Sequence, residues 1–299
     1  MHRTCSSRNT VRRAALAAAL LAVLGTSAWA RDPAVHAVRL ALQGPDADAA
    51  VAAGEHAVAA RPKDTEAWYY AGQAYGRMAM EASLLRKPGW AIKTRDAFQA
   101  AARLDPDHLG AREGLVQFYT LAPGFMGGGK DKAAAEIASF SERSPAGGHY
   151  LRALTLEGAA AERELRAAVR VAPGESRYRR ALIGLLDHTD QAAAASAVLE
   201  DGLARSPEDA RLLYTLGRRA AISGDSIDAG IAALERVIAM GKSLPDDVSI
   251  GGAYWRRGQL LEKRGQSHDA LADYRRSAAL EPGLEAVRKD IARLTASGK

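Results

Sequence analysis

The chain has 299 residues, 47% apolar and 25% charged, an ordinary balance that excludes a fibrous or intrinsically disordered protein. Its 41 Lys and Arg face 35 Asp and Glu, but Arg3, Arg8, Arg12 and Arg13 lie in the first thirty residues, and without them the excess falls from +6 to +2. That balance argues against a general polyanion binder, and the single cysteine, Cys5, leaves no thiol for a disulfide, metal site or nucleophile beyond the first thirty residues.

Residues 1–30 read as a secretory signal peptide. A basic head is followed by an apolar run from Ala14 to Leu24 and by the small-x-small site Ala28-Trp29-Ala30. The run is shorter than the ~20 residues a membrane-spanning helix needs. The expectation is cleavage after Ala30, a periplasmic or secreted protein, and no stable membrane insertion. Residues 31–62 read as a degenerate N-terminal repeat or cap, 63–282 as a repeat solenoid, and 283–299 as a C-terminal capping helix and tail. Glu285, Arg288, Lys289, Asp290 and Arg293 give that last helix the polar outer face that the end of a stack requires.

Proline marks the repeats in chain order. Pro62, Pro106, Pro145, Pro173, Pro207 and Pro282 each follow a run with helical spacing, where proline ends a helix. The long gap after Pro207 holds two units, with Gly241 and Pro245 where the missing mark falls. Trp68, Ala71, Gly72 and Tyr75 belong to one first helix, with Phe98 and Ala101 on its second. Leu115 and Tyr119 precede Ala133, Ile137 and Phe140; Ala161, Leu165 and Ala168 follow. Leu182 and Leu186 pair with Ala195 and Leu199, and Leu213, Leu216 and Gly217 with Ala229 and Ala233. Small residues stand where helices cross closely and bulky ones fill the spaces between.

The most regular unit reads Tyr254-x2-Arg257-Gly258-x2-Leu261, then Gly265, Ala270-x3-Tyr274 and Pro282. It resembles the tetratricopeptide repeat (TPR), a helix–turn–helix of about 34 residues. One such unit cannot bury its own apolar face, so the resemblance implies an all-α fold, a right-handed α-solenoid of six to seven stacked pairs. Two inserts, at residues 76–93 and 120–132, break the period. The first contains Leu84-Leu85-Arg86-Lys87-Pro88-Gly89-Trp90, the second Ala122-Pro123-Gly124-Phe125-Met126-Gly127-Gly128-Gly129. With the segment from Ala97 to Pro106 between them, they resemble a group of exported bacterial TPR proteins. Both fall between the helices of a unit, so both are expected on one edge of the solenoid.

Nothing announces catalysis. Gly124-x4-Gly129-Lys130 has the spacing of a phosphate-binding loop, but Asp131 stands where Ser or Thr is needed and a helix, not a strand, precedes it. Gly224-Asp225-Ser226 lacks the final glycine of a nucleophile elbow and reads as a turn with Ser226 or Asp225 as helix cap. His36, His56, His108, His149, His188 and His268 have no metal-ligand spacing. No catalytic residue, metal or cofactor is expected.

The resemblance implies that first helices line a concave groove. On this chain that places Tyr69 and Gln73, then Gln117, then Arg177 and Arg180, then Arg211, Tyr214 and Arg218, then Trp255 and Gln259 along it, with Glu66, Glu113, Asp187 and Glu262. Aromatic and arginine side chains suit a surface for a protein or peptide partner, and the four arginines suit an acidic or C-terminal segment. The asparagine–lysine clamp by which some TPR proteins hold chaperone C-termini is absent, because the only asparagine is Asn9. The expected function is a non-enzymatic interaction scaffold of the bacterial cell envelope. The alternatives are a small-ligand binder or enzyme with a pocket near the two inserts, and a self-assembling structural protein.

Overall fold

The computed structural model describes residues 32–245 and 247–297; the leader and its cleavage site lie outside them. The described residues form fifteen α-helices and no strand. The first helices of seven successive pairs are α1 (Pro33–Gln43), α3 (Thr65–Glu81), α5 (Leu109–Leu121), α7 (Pro145–Ala153), α9 (Ser176–His188), α11 (Ala210–Ser223) and α13 (Ile250–Lys263). Their second helices are α2 (Ala47–Ala60), α4 (Lys87–Leu104), α6 (Lys130–Arg143), α8 (Gly158–Val171), α10 (Ala192–Arg205), α12 (Ile227–Met240) and α14 (Ser267–Leu280). The fifteenth, α15 (Glu285–Ser297), closes the stack.

Local chemistry sets the helix starts. Every first helix has a side chain accepting a backbone N–H in its first turn: Asp32, Asp64, His108, Ser144, Glu175, Asp209 and Ser249. Second helices mostly lack this. Ser226 does occupy the cap position of α12, but in a left-handed conformation (φ 54°) with no capping bond, which corrects the reading of it as a side-chain cap.

The core runs as a column between neighbouring pairs. Leu151, Leu182, Ile183, Leu186 and Leu199 fill its centre, and Leu213, Leu234 and Leu260 continue it. Glycine permits the closest approaches: a Cβ on Gly217 would lie 2.2 Å from Leu234 Cγ. In the last pair Tyr274 is fully buried and donates to Glu262 at 2.9 Å.

The stack curves until its ends meet. Gly283, between α14 and α15, lies against Gly44 and the Gln43 carbonyl at the α1–α2 turn. Arg77 holds that turn through the carbonyls of Leu42, Gly44 and Pro45, the last two at 2.6 Å.

Candidate functional site

The first insert is a lengthening of helices more than a loop. It extends α3 and α4 to 17 and 18 residues, against 14 in α11 and α12, and leaves only residues 82–86 between them. The second continues α5 through Pro123 into a short 3-10 turn, Gly124–Met126. The N–H groups of Gly127, Gly128 and Gly129 donate to the carbonyls of Gly124, Pro123 and Tyr119 at 2.8 to 3.2 Å. These three glycine N–H groups are therefore not free to cradle a phosphate. The triplet is conformational: Gly127 has φ 95°, and a Cβ on Gly128 would lie 1.8 Å from the Ala122 carbonyl oxygen.

Together the inserts deepen the groove into a recess of about 760 Å³ between α3, α4 and α5. Gly72, Gly76, Thr94, Phe98, Phe118 and Met126 line it, as do the groove residues Tyr69, Gln73, Glu113 and Gln117. Met80 and Leu121 reach its rim. They are exposed with Leu84, Leu85 and Phe125, all at 81% or more.

One carboxylate faces this space. Burial raises the Glu113 carboxyl above its ordinary value, against a hydrogen bond from Tyr150 and the charge of Arg177. Glu113 also accepts from Gln117 at 3.3 Å and lies 3.5 Å from Arg177. Burial, then the neighbouring Glu113, raise Tyr150 in turn. His108 is no free base: its Nδ1 accepts from Ala111 and its Nε2 meets Glu66 at 3.0 Å. No group of three or more metal-ligating side chains occurs among the described residues.

Farther along the groove, Arg180 and Arg211 already have a partner. Both bond the carboxylate of Asp247, at 2.6 Å and 2.8 Å, from the segment between α12 and α13. Burial pushes the Asp247 carboxyl up, but Arg211 and Arg180 outweigh it and hold it below the usual aspartate value. Residues Arg39, Tyr69, Arg177 and Arg211 share a second cavity of about 610 Å³ with Asp247.

Several groove candidates are also committed elsewhere. Trp255 donates to Asp290 at 2.9 Å and packs against the terminal core. Gln259 accepts from Arg256 at 2.9 Å, and Glu262 is bonded by Tyr274 and Arg293. Asp187 pairs with Arg219. Tyr214 lies beside Arg256 and Arg218, with its pKa raised chiefly by burial. Asp247 and Arg256 were not marked by sequence reasoning. The only signal for Asp247 was the long spacing around Pro245, and for Arg256 its place beside Trp255 in the most regular unit.

The fold is that of the TPR solenoid. Yeast Tom70 aligns with a TM-score of 0.54 at 10% identity, over 84% of this chain and 53% of that one. A tetratricopeptide repeat protein from Parabacteroides merdae (TM-score 0.46, 14% identity) is covered to 93%, with 84% of this chain matched. For Cut9–Hcn1 of the APC/C hetero-tetramer the values are 0.46, 14%, 82% of this chain and 48% of that one. The chain therefore spans about half the length of Tom70 and of the matched chain of the Cut9–Hcn1 structure. No protein-family model matches the chain, and comparison with curated proteins gives no match.

Proposed function

We propose that the chain is a non-enzymatic interaction scaffold, exported to the bacterial cell envelope, that holds an apolar segment of a partner polypeptide in the recess between α3, α4 and α5. The carrying observation is the coincidence of that 760 Å³ recess, whose lining includes the exposed Met80 and Leu121, with three further exposed apolar side chains, Leu84, Leu85 and Phe125, on the adjoining segments 82–86 and 124–126. The size falls in the ~300–1,000 Å³ range of ligand sites. A small molecule would fill the recess and leave Leu84, Leu85 and Phe125 in water. A polypeptide segment lying across the opening covers both, as exposed apolar patches rimmed by polar residues do at protein interfaces. Gln73, Gln117 and Glu113 supply polar groups for the segment's backbone.

Export rests on the leader composition and the absence of thiols after residue 30. Site-specific photo-crosslinking tests the reading. A crosslinker at Leu121 should trap one discrete partner through an apolar stretch, and one at Glu200, on the exposed face of α10, should not. The same bands from both positions, or a trapped small molecule, would count against it.

A further inference from the structure

The α1–α2 turn is held from two sides. On one side the Arg77 Nη1 donates to the carbonyls of Leu42 and Gly44 at 3.2 and 2.6 Å, its Nη2 to that of Pro45 at 2.6 Å, and its Nε to Glu81 at 3.0 Å. On the other side lies the α14–α15 turn, where a Cβ on Gly283 would stand 3.1 Å from the Gly44 Cα and 3.2 Å from the Gln43 carbonyl oxygen. Arg77 and Leu42 both line the recess between α3, α4 and α5. One turn therefore forms part of the recess wall and one lip of the seam between the ends of the stack. The seam is not packed as a core: Leu40 and Leu280, 53% and 49% exposed, border a cavity of about 180 Å³ within it. Contacts of this kind open at lower cost than a close-packed interior.

We infer that the α1–α2 turn is a clasp that couples closure of the stack to the shape of the recess. Two states differ at defined contacts. In the closed state the turn sits between Arg77 and Gly283, and Leu42 completes the recess wall. In the open state the α14–α15 turn withdraws, the α1–α2 turn keeps one of its two supports, and Leu42 and Arg77 shift in the wall. A guanidinium fork can hold several carbonyls of one turn where a lysine's point charge would not, so Arg77 transmits the position of the turn to α3. Such coupling is reciprocal: whatever fills the closed recess favours closure, and whatever parts the ends weakens the recess. The clasp acts whatever fills the recess, and its test needs no occupant.

The test uses the chain from residue 31, whose lack of thiols lets two introduced cysteines carry the only labels. Nitroxides on Asp48→Cys in α2 and Arg288→Cys in α15, both exposed positions, report the distance between the ends by pulsed electron resonance. One short, narrow distribution is expected. Arg77→Met keeps the aliphatic stem in the recess wall and loses the fork. It should lengthen and broaden the distribution, although the Arg77 bonds stop at the turn and at Glu81. In the opposite direction, Gly283→Trp should part the ends. It should also raise hydrogen exchange at the close of α3, where the Ala82 amide donates to Met78 at 2.8 Å, by about fivefold or more, the lower end of such couplings. Exchange in α10 should not change. Thermal melts separate a parted seam from an unfolded chain, and Gly283→Trp, away from the recess, decides alone if Arg77→Met does not fold. Ends that stay together in either folded variant, or an α3 end that exchanges as before once the ends have parted, would overturn the inference.

Discussion

At the scale of residues, buried ion pairs and glycines carry more of the structure than the groove side chains do. Arg257 and Asp273 of the last repeat bond through two contacts of 2.7 and 2.8 Å, with side chains 17% and 4% exposed. Arg257→Ala would leave a buried carboxylate unpaired and should cost about 3–5 kcal/mol, measured by denaturant unfolding. Gly128→Ala cannot be absorbed beside the Ala122 carbonyl; it should displace the second insert and cost about 1–3 kcal/mol or more through lost turn bonds. Asp247 adds a pH dependence. Its carboxyl is held below its ordinary value of about 3.9, so the contribution is present above that pH and lost as pH falls through the depressed folded value. The Val248 amide, which donates to the Pro245 carbonyl at 2.9 Å, should stay protected at neutral pH and open in acid, and Asp247→Asn should open it at neutral pH too. Sequence alone could place Arg180 and Arg211 in the groove, but not show them neutralised. Their partner lies 67 and 36 residues away, and no local pattern reports such a contact.

At the scale of elements, the sequence was most legible where local rules act. Prolines end helices, and Pro62, Pro106, Pro173, Pro207 and Pro282 each lie two residues beyond a second helix. Polar side chains, five of the seven Asp or Ser, cap the first helices, and small residues mark their crossings. The inserts were legible as departures from the period, but not in form. Most of the first became extra helical turns, because Met78 and Trp90 could pack against the core that α3 and α4 already shared. That lengthening, with the 3-10 turn after α5, makes the recess. Its rim is solvent-facing, so it is separable from stability. Replacing Leu84, Leu85 and Phe125 together with serine should leave the melting temperature nearly unchanged and reduce crosslinking from Leu121 to background. An equal loss of stability would mean that these side chains serve the core.

At the scale of the molecule, the repeats curve far enough for the last turn to touch the first. Gly283 lies where any larger side chain would meet the backbone of Gly44 and Gln43. Gly283→Trp should separate the ends and raise the radius of gyration in X-ray scattering; an unchanged radius would show that closure does not depend on this contact. Repetition made the solenoid readable, since each unit repeats one packing problem. Closure was not readable, because it sums small rotations over seven pairs. The recess is the proposed seat of the partner segment, and Gly76 offers direct access to it. Gly76 lies on α3 in the wall of the recess, and an added Cβ makes only an ordinary contact with Thr94 at 3.4 Å. Gly76→Leu should fill the space from within, while replacing a helical glycine leaves the fold intact or stabilises it by about 0.5–1 kcal/mol. The decisive measurement is the affinity of the crosslinked partner segment, as a synthetic peptide, for the native chain and for Gly76→Leu. Loss of about tenfold or more, with an equal or higher melting temperature, is the predicted result; unchanged affinity would contradict it.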